Sequence, residues 1–376
     1  MTTSPAGERY YVGLISGTSM DGIDAVVVDF ASERPALLAA LTYPFDDNLR
    51  ASLDAVRLDP DQFPVARLGA LDAILGDRFA EAALAAIDAA GLKPVDVTAV
   101  GSHGQTIVHH AEAAPPFTLQ IGDPHRIAAQ TGITTVADFR RADLAAGGQG
   151  APLAPLLHQA LFSSHSECRA VVNLGGIANV TLLAPGKPVC GFDTGPANCF
   201  LDAWYRSHHD AGRFDASGQW AASGRVDFAW LEALMDDPYF ERPAPKSTGI
   251  EYFSPGWLKR RLPTWAETRP ADAQATLAEF SARSLAEAVQ AASADTVDRV
   301  IVCGGGAANA HLVERLEKNL GGVPIAASDN FGLPADHVEA TLFAWLARAR
   351  LRQQRIDTPP ITGARHAVMA GSVVLP

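Results

Sequence analysis

The chain has 376 residues, 48% hydrophobic and 19% charged, enough for two domains with a sizeable core and ordinary for a soluble globular protein. A formal net charge of −12 argues against non-specific binding to nucleic acid or anionic membranes, and no run approaches the ~18 apolar residues of a membrane span. Cys168, Cys190, Cys199 and Cys303 fit neither a zinc site nor a redox pair, and MTTSPAGERY does not read as a signal peptide, so reduced thiols and a cytoplasmic location are expected.

Tyr10–Ser16 and Ile23–Phe30, rich in Val and Ile, read as strands joined by a Gly-rich turn, and Pro35–Tyr43 as a third. Helical spacing then dominates from about Asp47 to Ala90, ending at Gly91. Val97–Gly101 reads as a short buried strand entering "SHGQT", and Gly132–Ala137 as another before "DFRRADLAAGGQGAPLAP", a long functional loop or domain crossing. The pattern restarts at Cys168–Pro185 with strand, Gly-rich turn and strand. "VCGFDTG" supplies a third strand, and "PANCFLDAWYRSHHD" opens a helix with Pro196 just inside its start. Helices are expected over Ala271–Ala292 and in "LPADHVEATLFAWLARARLRQQ", with strand, triple-glycine turn and helix in "VDRVIVCGGGAANAHLVERLEKNL". Each half opens on a glycine-turned hairpin and a third strand, a weak repeat in architecture. The expectation is an α/β fold of two facing domains with glycine turns lining a central cleft. The first covers 1–145, with about 355–376 packing back on it, and the second covers 146–354.

"GTSMDGID" is not a P-loop, since it has no Gly-Lys-Ser/Thr before a helix, and the dinucleotide fingerprint fails as well. What remains is a hairpin turn with Gly17 and Gly22 and hydroxyls from Ser16, Thr18 and Ser19. Its backbone N–H groups can face a phosphate, although Asp21-Gly22 alone would also make a plain turn. "NLGGIANVT" places Gly175 and Gly176 in a second such turn, and "CGGGAANAHL" places Gly304, Gly305 and Gly306 before a helix start.

These turns, two on hairpins, resemble the acetate and sugar kinase, heat-shock chaperone and actin superfamily, whose domains are actin-like or ribonuclease-H-like. In that superfamily two hairpins clamp the ATP tail and a glycine-rich turn holds the adenosine. More narrowly, "GLISGTSMDGIDA", "GSHGQT", "LQIGDPHRIA", "DFRRADLAAGGQGAPLAP", "NLGGIANVT", "GFDTGPAN", "STGIEYF" and "CGGGAANAHL" resemble, in order, the anhydro-N-acetylmuramic acid kinase family.

The resemblance implies that ATP phosphorylates O6 of 1,6-anhydro-N-acetylmuramic acid while water opens the anhydro bridge at C1, in peptidoglycan recycling. Such chemistry needs a carboxylate base near C1, Mg²⁺ with ATP, and a pocket that aligns O6 with the γ-phosphate. Asp193 matches the family's catalytic aspartate, its structural alternative being a cap on the helix near Pro196. ATP contacts are expected from Gly17, Thr18, Ser19, Met20, Asp21, Gly22, Ile23 and Asp24 in the first turn. Others are expected from Asn173, Gly175, Gly176, Gly304, Gly305, Gly306 and Asn309. The superfamily's metal-side aspartate is missing, because Ile15 stands two before Gly17. Asp21 could serve Mg²⁺ through water, and Asp24 could make turn hydrogen bonds or point into the cleft.

The sugar pocket is expected to draw on Ser102, His103, Gln105, Asp123, Arg126, Asp138, Arg140, Asp143 and Glu339. Arg126 or Arg140 could take the lactyl carboxylate, Gly148 and Gln149 could order the loop between domains, and Glu339 has the equal alternative of a solvated helix carboxylate. His109 and His110 read as bland, and Arg348–Arg355 as a solvated helix end. The family further implies a homodimer acting on a small sugar, with no nucleic-acid or membrane partner. A levoglucosan-type kinase and a non-catalytic actin-like ATP-binding module are the other readings.

Overall fold

The computed structural model describes residues 9–17, 22–32, 35–244, 246–250, 252–262, 264, 269–293 and 296–376. The chain divides into two compact units: one runs to Leu157 and resumes at His337, and the other is His158–Asp336.

In the first unit β1 (Tyr10–Ser16), β2 (Gly22–Asp29) and β3 (Ala36–Pro44) form an antiparallel meander. Next to β1 lies β4 (Val97–His110), parallel to it, with β5 (Phe117–Ile121) folded back on the far half of β4 and β6 (Thr135–Ala137) parallel to its near half. The C-terminal strand Ser372–Val374 closes the edge at β6. "SHGQT" is therefore strand, not the loop its Gly104 suggests. Gly104 has φ +76 and meets the Ile121 carbonyl so closely that only glycine fits.

One face of this sheet is covered by the helices Asp47–Leu58 and Val65–Ala89, which Pro60 and Pro64 separate where the periodicity reads as continuous. On Gly13 of β1 and Gly101 of β4 lies the helix Val338–Leu351: a Cβ at either glycine would overlap the Ala340 or Phe343 carbonyl. This contact corrects the expected boundary at 354. The late helix, small and apolar around most of its circumference, is seated on the first sheet, and the first unit extends to Leu157 instead of 145.

The second unit repeats the order. β7 (Arg169–Leu174), β8 (Ile177–Leu183) and β9 (Cys190–Pro196) form the meander, with β10 (Arg299–Cys303) parallel to β7 and β11 (Ile325–Ala327) parallel to β10. Three antiparallel strands followed by two parallel ones is the ribonuclease-H-like order in both units. Val172, Leu174, Ala178, Val180 and Phe192 face a core completed by the helix Pro270–Ala292. Pro196 ends β9 and does not start the following helix, Asn198–His208, whose N-cap is Ala197.

Candidate active site

In the first unit, β1 delivers Ser16 to the mouth of its hairpin turn, where the hydroxyl donates to Gln105 Oε1 at 2.6 Å. Both groups are buried, so the bond ties the turn to β4 at the point where β4 carries "SHGQT". His103, two residues earlier, lies against the Phe343 ring at 4.6 Å. Its Nδ1 donates to the Gly104 carbonyl at 3.1 Å and its Nε2 accepts from Arg140 Nε at 3.0 Å. A carbonyl can only accept and a guanidinium can only donate, which leaves one tautomer of a neutral ring. Burial, and then the Arg140 charge, hold its pKa well below the ordinary 6.5.

Arg140 also donates from Nη1 to the Gly150 carbonyl at 2.8 Å. Burial lowers its pKa, opposed by the negative charges of Glu339 and Asp143, and an arginine stays cationic under such a shift. Glu339 is exposed in the first turn of Val338–Leu351. Asp138, two residues before Arg140, holds φ +60, a left-handed conformation uncommon outside glycine, and pairs with Arg141 at 3.4 Å.

His109, read as bland from the sequence, belongs to this group. Its Nδ1 shares a 3.0 Å bond with the Thr118 hydroxyl, its ring is bonded to the Gln149 backbone, and its edge borders Gly150. Burial and Arg140 press its pKa down to about 4. Apart from Thr118, its partners Arg140, Gln149 and Gly150 come from 31 and more positions away, so no local spacing marks it.

Several expected residues are committed elsewhere. Arg126 forms a two-point pair with Asp77 at 2.7 and 2.8 Å on the exposed side of two helices. Asp123 caps the helix Pro124–Thr131, accepting from His125 N at 2.9 Å. Asp143 is fully buried with both oxygens engaged, by Gly150 N at 2.7 Å and the Thr362 hydroxyl at 2.8 Å, so it shapes the "GGQG" loop and has no face toward a sugar. Ser102 is buried in β4 with an unpaired hydroxyl. Ile23 is a core side chain, and Asp24 accepts from the Thr42 hydroxyl across the β2–β3 ladder at 2.6 Å. Gly22 is demanded by the Tyr43 carbonyl, which a Cβ would overlap, whereas a Cβ at Gly17 would meet nothing within 4 Å among the described residues. Thr18, Ser19, Met20 and Asp21 lie outside the described residues.

In the second unit the β7–β8 turn is stitched to the helix Asn198–His208. The Gly175 carbonyl accepts from Asn198 N at 3.0 Å, and the Gly176 carbonyl accepts from Ala197 N at 3.0 Å and Cys199 N at 3.1 Å. Across a trans peptide the N–H points opposite the C=O, so the N–H groups of Gly176 and Ile177 are turned away from the helix. Those are the donors an anion would meet. Gly304, at φ +79, donates to the Ala335 carbonyl at 2.9 Å, and a Cβ there would overlap Asn173 Oδ1; Gly306 sits against Leu174 and Asn198. The triple-glycine turn therefore stacks directly on the hairpin. Asn309 caps the helix Ala310–Asn319, its Oδ1 accepting from Leu312 N at 3.0 Å.

Asp193 sits on β9 opposite Asn179 and is not the helix cap. Its carboxylate accepts from Thr248 N at 3.0 Å, its N donates to the Lys246 carbonyl at 3.0 Å, and its carbonyl accepts from the Tyr239 hydroxyl at 2.7 Å. Lys246 in turn donates to the Tyr239 and Phe240 carbonyls at 3.1 and 3.2 Å, with burial lowering its pKa. The sequence marks "STGIEYF" as a block without showing that it brackets Asp193 from 55 residues away. Among the described residues no group of three His, Cys, Asp or Glu is placed to hold a metal ion, and no helix is long and apolar enough to cross a membrane.

The family model for anhydro-N-acetylmuramic acid kinase matches residues 9–376. The anhydro-N-acetylmuramic acid kinase of Xylella fastidiosa is 48% identical over 374 residues, covering 98% of this chain and 97% of its own. That of Xanthomonas campestris pv. campestris is 48% identical over 366 residues, covering 96% of each. Among solved structures, the ROK hexokinase of Thermus thermophilus aligns at 19% identity and a TM-score of 0.39, covering 90% of this chain and 99% of its own. Component A of the Acidaminococcus fermentans (R)-2-hydroxyglutaryl-CoA dehydratase aligns at 14% and 0.43, covering 91% and 100%.

Proposed function

The chain belongs to the anhydro-N-acetylmuramic acid kinase family, an anhydro-sugar phosphotransferase family, and from that premise we propose the full reaction. ATP phosphorylates O6 of 1,6-anhydro-N-acetylmuramic acid while water opens the anhydro bridge, giving N-acetylmuramic acid 6-phosphate and ADP. The observation that carries this reading is the setting of Asp193. It lies midway along β9, opposite Asn179 in the strand that leaves the glycine hairpin, and is fixed through backbone and carboxylate.

A carboxylate so held can take a proton from water as the water oxygen attacks C1. The C1–O6 bond breaks with its electron pair on O6, which attacks the γ-phosphorus as ADP leaves. No separate acid is required, because the leaving oxygen is the phosphoryl acceptor. Gly176 and Ile177 N–H serve the phosphates, and the Gly304–Gly306 turn serves the nucleoside. Arg140 supplies the cation for the lactyl carboxylate, with neutral His103 fixing its orientation. Mg²⁺ enters with ATP as part of the substrate and neutralises phosphate charge. In the same reading the enzyme is a cytoplasmic homodimer serving peptidoglycan recycling.

Turnover in ¹⁸O-labelled water tests the reaction. Label at C1 of the phosphorylated product is expected. A phosphorylated sugar with its anhydro bridge intact would leave an ordinary kinase. Asp193→Asn is expected to abolish turnover with ATP binding retained.

A further inference from the structure

Asn173, Asn179 and Asp193 stand abreast across β7, β8 and β9. Opposed residues of antiparallel strands share a face with Cβ atoms about 5 Å apart. The flanking Val172, Val180 and Phe192 go to the core on the other face, so the row leaves three polar side chains side by side.

Two buried atoms next to Asp193 have no hydrogen-bond partner among the described residues: Oδ1 of Asn179, across the ladder, and the Thr248 hydroxyl, whose own backbone N–H holds the carboxylate. Buried polar atoms are paired in the great majority of cases, and each exception calls for an explanation. Two of them bordering one carboxylate have a common explanation in a single small polar partner.

We infer that Asn179 and Thr248 hold the attacking water against Asp193. The inference rests on Asp193 being the base. A water has two protons and two lone pairs, and every one finds a place here. One proton goes to the Asp193 carboxylate and the other to Asn179 Oδ1. One lone pair accepts from the Thr248 hydroxyl, and the second is left to form the bond to C1. As C1–O attack proceeds, the proton on the Asp193 side transfers to the carboxylate, and the C1–O6 pair departs to phosphorus as above. The Asn179 and Thr248 bonds fix which lone pair points outward, so both residues touch the reacting oxygen.

Thr248→Val, nearly isosteric, and Asn179→Leu are expected to lower kcat about 10- to 100-fold, the loss typical of a misplaced reacting group. KM for ATP and sugar and the Mg²⁺ requirement should remain unchanged, and Thr248→Ser should recover most of the rate. Thermal melts and ATP binding establish that each variant is folded. Wild-type kcat in Thr248→Val, or equal losses in Thr248→Val and Thr248→Ser, would overturn the proposal, since the hydroxyl would then not matter. A shifted Mg²⁺ requirement would overturn it too, by assigning these oxygens to the metal. If Asp193→Asn keeps turnover, the base itself is misassigned. An inactive Asp193→Asn beside a fully active Thr248→Val leaves the base standing and removes only the water-holding pair.

Discussion

Arg140 donates its Nε–H to Nε2 of His103 at 3.0 Å, and this bond requires the imidazole to be neutral. Burial and the guanidinium both depress its pKa, so the folded chain binds fewer protons at this site than the unfolded chain below pH 6.5. Two more histidines act in the same sense: His109, held at about 4, and His158, held at about 3 by burial beside Thr181. Stability therefore rises with pH across the window from about 4 to 6.5 and levels above it, each group adding up to about 1.4 kcal/mol per pH unit. Denaturant melts from pH 4.5 to 7.5 measure this slope. His158→Gln is expected to reduce it by roughly one proton's worth, and an unchanged slope would show that His158 is not buried neutral.

Arginine identity separates two candidates that the sequence leaves equal. Arg140→Lys keeps a charge but loses the fork that joins His103 and Gly150, so KM for the sugar is expected to rise about 10- to 100-fold. Arg126→Ala loses only an exposed pair with Asp77, worth about 0–1 kcal/mol, and should leave KM within about twofold. The reverse outcome in steady-state kinetics would return the lactyl carboxylate to Arg126.

The glycine turns and the repeated meander were legible because local chemistry alone dictates them: Gly304 must adopt φ +79, and alternating Val and Ile runs must pair. The apolar strand that carries Asp193 was legible in its block, although the strand runs on to Pro196 where the sequence suggests that it stops at Asp193. Residues whose role is set by distant partners were not. Arg126 and Arg140 differ only in that Asp77 stands 49 residues before the first and His103 stands 37 before the second. Asp143 looked like a ligand until Thr362, 219 residues on, took its second oxygen. The late helix looked like part of the second domain because its docking glycines, Gly13 and Gly101, lie at the other end of the chain.

Asp143 gives a stability prediction rather than a catalytic one. Asp143→Ala leaves the Gly150 N–H buried without its partner, at about 1–3 kcal/mol, while the Thr362 hydroxyl keeps its bond to the Thr358 carbonyl at 3.1 Å. Thr362→Val removes the hydroxyl's bonds to Asp143 and to the Thr358 carbonyl and keeps the bond from Gly150 to Asp143. Since Gly150 also receives Arg140, the Asp143→Ala loop should further raise KM for the sugar while Thr362→Val does not. Equal melting temperatures for wild type and Asp143→Ala would refute the structural role.

The triple glycine turn separates packing from ligand contact residue by residue. Gly304→Ala forces a side chain onto φ +79 and onto Asn173 Oδ1, and backbone strain of this kind costs about 1–3 kcal/mol. Gly306→Ala places a methyl 2.6 Å from Leu174 Cβ and 2.8 Å from Asn198 Nδ2, which overpacks the hairpin by a similar amount, about 1–3 kcal/mol. Both should melt early. Gly305 differs: its added methyl would meet nothing nearer than Asp336 Oδ1 at 3.9 Å, so Gly305→Ala should fold with wild-type stability. A nucleoside packed on this turn would still meet that methyl. KM for ATP in Gly305→Ala should then rise about tenfold, equivalent to about 1.4 kcal/mol, with KM for the sugar unmoved. Unchanged ATP kinetics in a fully folded Gly305→Ala would mean that the adenosine is held elsewhere in the chain.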